Sequence, residues 1–161
     1  GMRQVDDRVF RVKAVSGTGF TLDGEDTTAF DTFVSGTAQK VTFGTSITTA
    51  TSLSASGGEF DFIDTTTIHQ SARSQIPGMP SAATFSFDNI WDVSDAGLKA
   101  MKVASDAQAK RSFMFTFGTG GQVMVFNGYV GASLLPGGSA QQLVTTKTTI
   151  TMNGTPSYFS S

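Results

Sequence analysis

Cysteine is absent from the 161 residues, which excludes a disulfide framework, a thiolate metal site and a cysteine nucleophile. Histidine is nearly absent too: His69 stands alone, so no His pair is available for zinc. Cations are few, 11 Lys+Arg against 13 Asp+Glu, for a formal net charge of −2. Neither half carries a basic block, which argues against an electrostatic nucleic-acid binder. Glutamate occurs only as Glu25 and Glu59, too sparse for the exposed faces of a helical protein. No apolar run approaches the roughly 18 residues of a membrane-crossing helix. The opening GMRQVDDRVF is polar and holds no apolar secretion segment, so a soluble intracellular product is expected. Gly1 ahead of Met2 reads as a remnant of tag cleavage.

What is present points one way. There are 14 Phe and 18 Gly against 4 Pro and 1 Trp, and Ser and Thr are abundant. Thr and Phe suit a pleated, half-buried surface, and Gly suits its turns. The composition reads as mainly β, at a length suited to one domain spanning 1–161. With 11% aromatic residues and little net charge, the chain has the means to form a core rather than stay disordered.

Along the chain, RVFRVKAVSGTGFTL (8–22) alternates around Ser16-Gly17 and predicts a hairpin, which Asp23-Gly24 can close with a further turn. Residues 27–35 read as a loop with one short element, and Lys40–Leu53 as a strand region. Ser54–Gly58 is turn-prone, and Glu59–Ile63 alternates, with Phe60 and Phe62 on one side. Residues 64–80 read as a long polar connection of a kind often used for contacts. Phe85 and Phe87 share one face of the next strand, 82–90. Leu98, Met101, Lys102 and Ser105 recur at helical spacing, which predicts one helix over about 94–109, capped by Asp92 or Ser94. RSFMFTFGTGGQVMVFNGYV is the strongest hairpin: Phe113, Phe115 and Phe117 point one way, and Val123, Val125 and Tyr129 return. A final strand is expected over Gln141–Thr151, with NGTPSYFSS as a tail.

None of the chemistry-bearing groups forms a convincing catalytic set. His69 lies in a polar loop, the ordinary place for an exposed histidine. Glu59 and Asp61 share a strand face near Asp64, a spacing that could hold a hard cation or an acid/base pair; a solvated strand face is the ordinary reading of such a cluster and is preferred. Asp88, Asp92 and Asp95 precede or open the helix, where they cap and neutralise its positive end. Gly118–Gly121 joins two strands without a following helix or lysine, unlike a phosphate cradle. The Phe-rich strands lack the interleaved cations of a base-stacking surface, so core burial is expected. Weakly charged β surfaces and small-residue loops suit an interaction or assembly protein.

In order and spacing, ATFSFDNIWDVSDAGLKAMKVASDAQAKRSFMFTF, then GTGGQVMVFNGYVGASL with Gly128-Tyr129-Val130, then QQLVTTKTTITMNGTPSYF with Gly154-Thr155-Pro156, resemble the major tail tube proteins of long, non-contractile-tailed, lambda-like bacteriophages. SASGGEFDFIDTT and the stretch through SQIPGMPSA are similar to the strand and loop before that family's helix. RVFRVKAVSGTGFTLDGEDTTAF is similar to an early hairpin of some members. Others carry a strand and loop ahead of it, so a missing N-terminal segment is an expectation here.

The resemblance implies a β-sandwich or barrel-like core with a helix on its flank. It implies a phage- or prophage-encoded virion component, made in the bacterial host cytoplasm. Hexameric rings would stack into a tube that conducts DNA without binding it specifically, in contact with other tail proteins and no membrane. No catalysis and no cofactor or metal is implied, and the isolated chain is expected to be monomeric. Subunit contacts are expected in the 64–80 stretch, at Thr65, Ile68, His69, Arg73, Ile76 and Met79. Three alternatives stay open: another tail, baseplate or secretion-tube part; a carbohydrate-binding β-sandwich; or a small metal or enzyme domain using Glu59, Asp61, Asp64 and His69.

Overall fold

The computed structural model describes residues 2–118 and 120–160. After one 3-10 turn at Arg3–Val5, β1 (Val12–Ser16) and β2 (Gly19–Leu22) form an antiparallel hairpin, as the alternation predicts. Gly17 in its reversal has φ +57°, the left-handed region that costs glycine nothing. β3 (Ala50–Ser56) begins the main sheet. Among the described residues β4 (Phe60–Asp64) and β5 (Gln75–Pro80) pair only with each other, as a separate arm. β6 (Thr84–Ile90) returns to the sheet and α1 (Ala96–Asp106) crosses it. β7 (Arg111–Thr116), β8 (Val123–Ala132) and β9 (Thr145–Phe159) complete it.

The five strands lie in the order β3-β6-β9-β8-β7, every neighbouring pair antiparallel. Register sets Phe85 opposite Ile150, and Ile150 opposite Val130; Phe113 lies opposite Phe126 and Phe115 opposite Met124. One face therefore collects the apolar side chains. Phe87, Met124, Phe126, Val130, Ala132 and Ile150 pack there with Met101 and Ala104 of α1. Burying each large side chain is worth about 1.5–3 kcal/mol. The sheet curls over this face until its free edges, β3 and β7, flank a cleft lined in part by Leu53, Phe87, Phe115 and Phe117. Because those edges do not pair, the barrel is not closed.

The opposite face is crossed by the N-terminal segment. Asn127 donates to the Asp7 carbonyl at 2.9 Å, and Arg8 donates to the Ser157 hydroxyl and to Glu25. The Arg11 guanidinium lies 5.0 Å from the Phe159 ring centroid and also pairs with Asp23.

The mainly β class with one short helix holds, while several element boundaries differ from expectation. α1 is shorter than 94–109 because Asp95, rather than Asp92 or Ser94, is its cap: its carboxylate accepts from the Leu98 amide at 2.7 Å. Asp92 instead closes a local turn on Ser94. On β8, Met124, Phe126 and Val130 pack in the main core cluster, and Val125 is buried outside it. The final strand starts later than Gln141 and runs on to Phe159. Gly154-Thr155-Pro156 is not a tail but an irregularity between the pairs Asn127↔Asn153 and Val125↔Ser157, where proline's missing N–H does least harm. Of the strand expected at Lys40–Leu53, only the portion from Ala50 onward is strand, and residues 54–56 of the turn expected at Ser54–Gly58 belong to β3, leaving residues 57–59 as the break before β4.

Candidate assembly surface

The arm is the part of the fold with the least reason to exist in an isolated chain. It leaves the sheet at Gly57 and Gly58, both with φ above +80°. A Cβ on Gly57 would stand 2.4 Å from the Ala82 carbonyl oxygen, so glycine is needed where the two arm strands converge. Two backbone bonds fix the root, Gly58 N–H to Ser81 at 3.1 Å and Ser81 N–H to Glu59 at 2.9 Å. Beyond the root, Phe62 faces Pro77 and Ile63 faces Ile76. All of these side chains are solvent-exposed, Phe62 at 65% and Met79 at 85%. An exposed apolar ribbon outside the core is a candidate for contacts with another surface.

Of the residues expected to make contacts, Ile76 and Met79 lie on β5 and the others in the tip, 65–74. The expected polar excursion is therefore half strand, not loop. Pro77, Gly78 and Pro80 concealed that strand, since proline within an apolar run lowers the expectation of a strand. The tip is ordered by its own polar groups. Thr65 N–H bonds Ser74 at 2.9 Å, Asp64 accepts from Thr66, and Thr67 N–H reaches the Gln70 side chain at 3.0 Å. Ile68, at the very end, is 95% exposed. His69 and Arg73 sit in the same turn region without an ion pair among the described residues.

The arm's acidic residues do little beyond this. Hydrogen bonds from the Thr66 hydroxyl and amide hold the Asp64 carboxyl below the usual carboxylate range. No group of three or more His, Asp or Glu suited to a metal ion occurs among the described residues. The phenylalanines divide by location: Phe87 and Phe126 are buried as expected for the Phe-rich strands, whereas Phe20, Phe60 and Phe62, also on strands, and Phe33 are exposed.

A second exposed stretch includes the first part of the strand region expected at Lys40–Leu53, which is not strand before Ala50. Residues 31–47 are in no helix or strand and make no hydrogen bond among the described residues. Phe33 and Val34 are 60% and 76% exposed. The chain is held again only at Ile47, which packs on the core, and at Thr48 and Thr49, which bond Asp95 and the Ile90 amide. The strand-like composition of Lys40–Phe43 was the available signal.

The described residues thus form a curled sheet with a flanking helix and an exposed apolar arm. The model of the phage tail tube protein family matches residues 1–161; the chain belongs to that family and is a structural component of a phage-type tail. Its fold is similar to a chain in the tail of an empty gene transfer agent particle refined with C6 symmetry. There the TM-score is 0.55 at 14% identity, over 71% of this chain and 84% of that one. A chain in the native gene transfer agent virion is similar at TM-score 0.53 and 14% identity, over 71% and 87%. Among curated proteins none matches.

Proposed function

We propose that this chain forms rings, six copies to a ring, that stack into the tube conducting DNA, and that the β4–β5 arm supplies contacts between copies. The single observation carrying this reading is the arm: Phe60, Phe62, Ile63, Ile68, Ile76 and Met79 are exposed on an element the sheet does not use. Burial of such side chains against neighbouring copies stabilises a ring without any change in the core. The C6 symmetry of the similar tail supports the ring number. The tube works without catalysing a reaction, and other tail proteins meet its ends. A formal charge of −2 suits a lumen through which like-charged duplex slides without specific binding. The subunit uses no cofactor and needs no membrane, and a free copy is a monomer.

Electron microscopy with light scattering tests this directly. Concentrated native protein is expected to give rings or tubes with a central hole, and a chain shortened across 65–74 is expected to remain monomeric. Normal tubes from the shortened chain would remove the tip from the interface.

A further inference from the structure

Residues 32–43 combine two properties that seldom coincide in a finished fold. Their sequence, TFVSGTAQKVTF, is of strand type, rich in Thr, Val and Phe and uncharged except for Lys40. Their backbone is nevertheless unpaired, with no hydrogen bond among the described residues. Such a run normally finds a sheet edge. Its own chain holds it away, because Ile47, Thr48 and Thr49 are fixed against the core, Asp95 and the Ile90 amide. Gly97 presses on the same place: a Cβ there would meet the Ser46 carbonyl oxygen at 2.7 Å.

A matching acceptor exists. β3 is a free edge of seven residues, Ala50–Ser56, exposed throughout. It carries no charge and no proline, the devices that commonly guard an edge from pairing. The other free edge, β7, opens with Arg111 next to Lys110. Beside β3 lies the cleft lined by Leu53, Phe87, Phe115 and Phe117, an apolar floor for a strand laid along the edge. We propose that residues 32–43 of one copy add as a strand to the β3 edge of a second copy. Main-chain bonds then join the copies, and Phe33 or Val34 covers the cleft. This rests on the ring reading above and names the pairing within it. The donor is a second copy because the structural relatives occur as repeated subunits in a symmetric tail.

Hydrogen exchange with mass spectrometry, on assembled and unassembled native chain, reads the pairing. Amides of 32–43 and the outward amides of β3 are expected to exchange at least about tenfold more slowly in the tube. Val34→Pro, which removes an exposed N–H that bonds nothing here, is expected to leave the monomer's thermal transition in place and to abolish assembly. Val34→Thr, which keeps the N–H and strand propensity, is expected to assemble. Tubes in which 32–43 exchanges as fast as in the free chain, or normal tubes from Val34→Pro, overturn the strand exchange and leave the ring reading intact. Native protein that forms neither rings nor tubes overturns the ring reading and this inference together.

Discussion

Phe115 on β7 meets Phe85 on β6 edge-on, ring centroids 5.1 Å apart, although β8 and β9 lie between their strands in the sheet. Only strong curling brings them together. The same ring stands 5.1 Å from Phe126 and 5.7 Å from Phe87, so one aromatic cluster sets the curvature that leaves β3 and β7 as open edges. Edge-to-face aromatic pairs add about 0.5–1.5 kcal/mol beyond the area they bury.

Core and arm should therefore separate in mutation. Phe126, fully buried, is expected to cost about 3–5 kcal/mol as Phe126→Ala. Phe62→Ala, on the exposed arm, is expected to stay within about 0.5 kcal/mol of native while weakening assembly. Urea unfolding of each variant, beside microscopy of the same samples, checks the pair. A large loss of monomer stability from Phe62→Ala would show that the arm packs on its own subunit.

Gly57→Ala tests the root of the arm. Alanine there takes on both a φ of +81° and a clash with the Ala82 carbonyl, so a loss of more than about 1 kcal/mol is expected. Gly24→Ala is the comparison: φ is +74° but nothing lies within 4 Å of its Cβ, so its loss should be smaller. Equal melting temperatures for the two would contradict the close approach.

Asp95→Ala removes the acceptor for the Leu98 amide and is expected to destabilise by about 1 kcal/mol. Asp95→Asn, able to cap in the same way, should restore most of it. Because Leu98 is almost wholly buried, the loss is expected to appear in the global unfolding transition rather than as fraying alone.

The acid response follows from Asp64 and Asp92, whose carboxyls are held low by hydrogen bonds from Thr66 and Ser94. A carboxyl depressed on folding contributes stability that is fully present above its ordinary value, near pH 4, and is lost as pH falls through the lowered folded value. The arm tip and the turn before α1 are thus expected to be insensitive between about pH 6 and 8 and to loosen only below about pH 4. Asp64→Asn should flatten that loosening at the tip, as read by proton titration of the neighbouring amides. A tip that opens near neutral pH would contradict the role given to Asp64.

The sequence by itself determined the class of the protein. Scarce Glu and Lys, abundant Thr and Phe, and period-2 runs such as Phe113-Phe115 and Phe85-Phe87 specify strands wherever they find a partner, and Leu98, Met101 and Ser105 specify the one helix. Order and spacing were enough to suggest the tail tube family. Tertiary structure decided which runs became strands. β5 forms despite Pro77 and Pro80 because β4 lies beside it, whereas Lys40–Phe43, better suited in composition, stays unpaired because its anchored neighbour Ile47 carries it away from an edge. It also decided that Phe126 is core and Phe62 surface, a distinction invisible in their similar alternating contexts. Pairing is a property of two segments at once, and a side chain's burial depends on what the curled sheet leaves within reach.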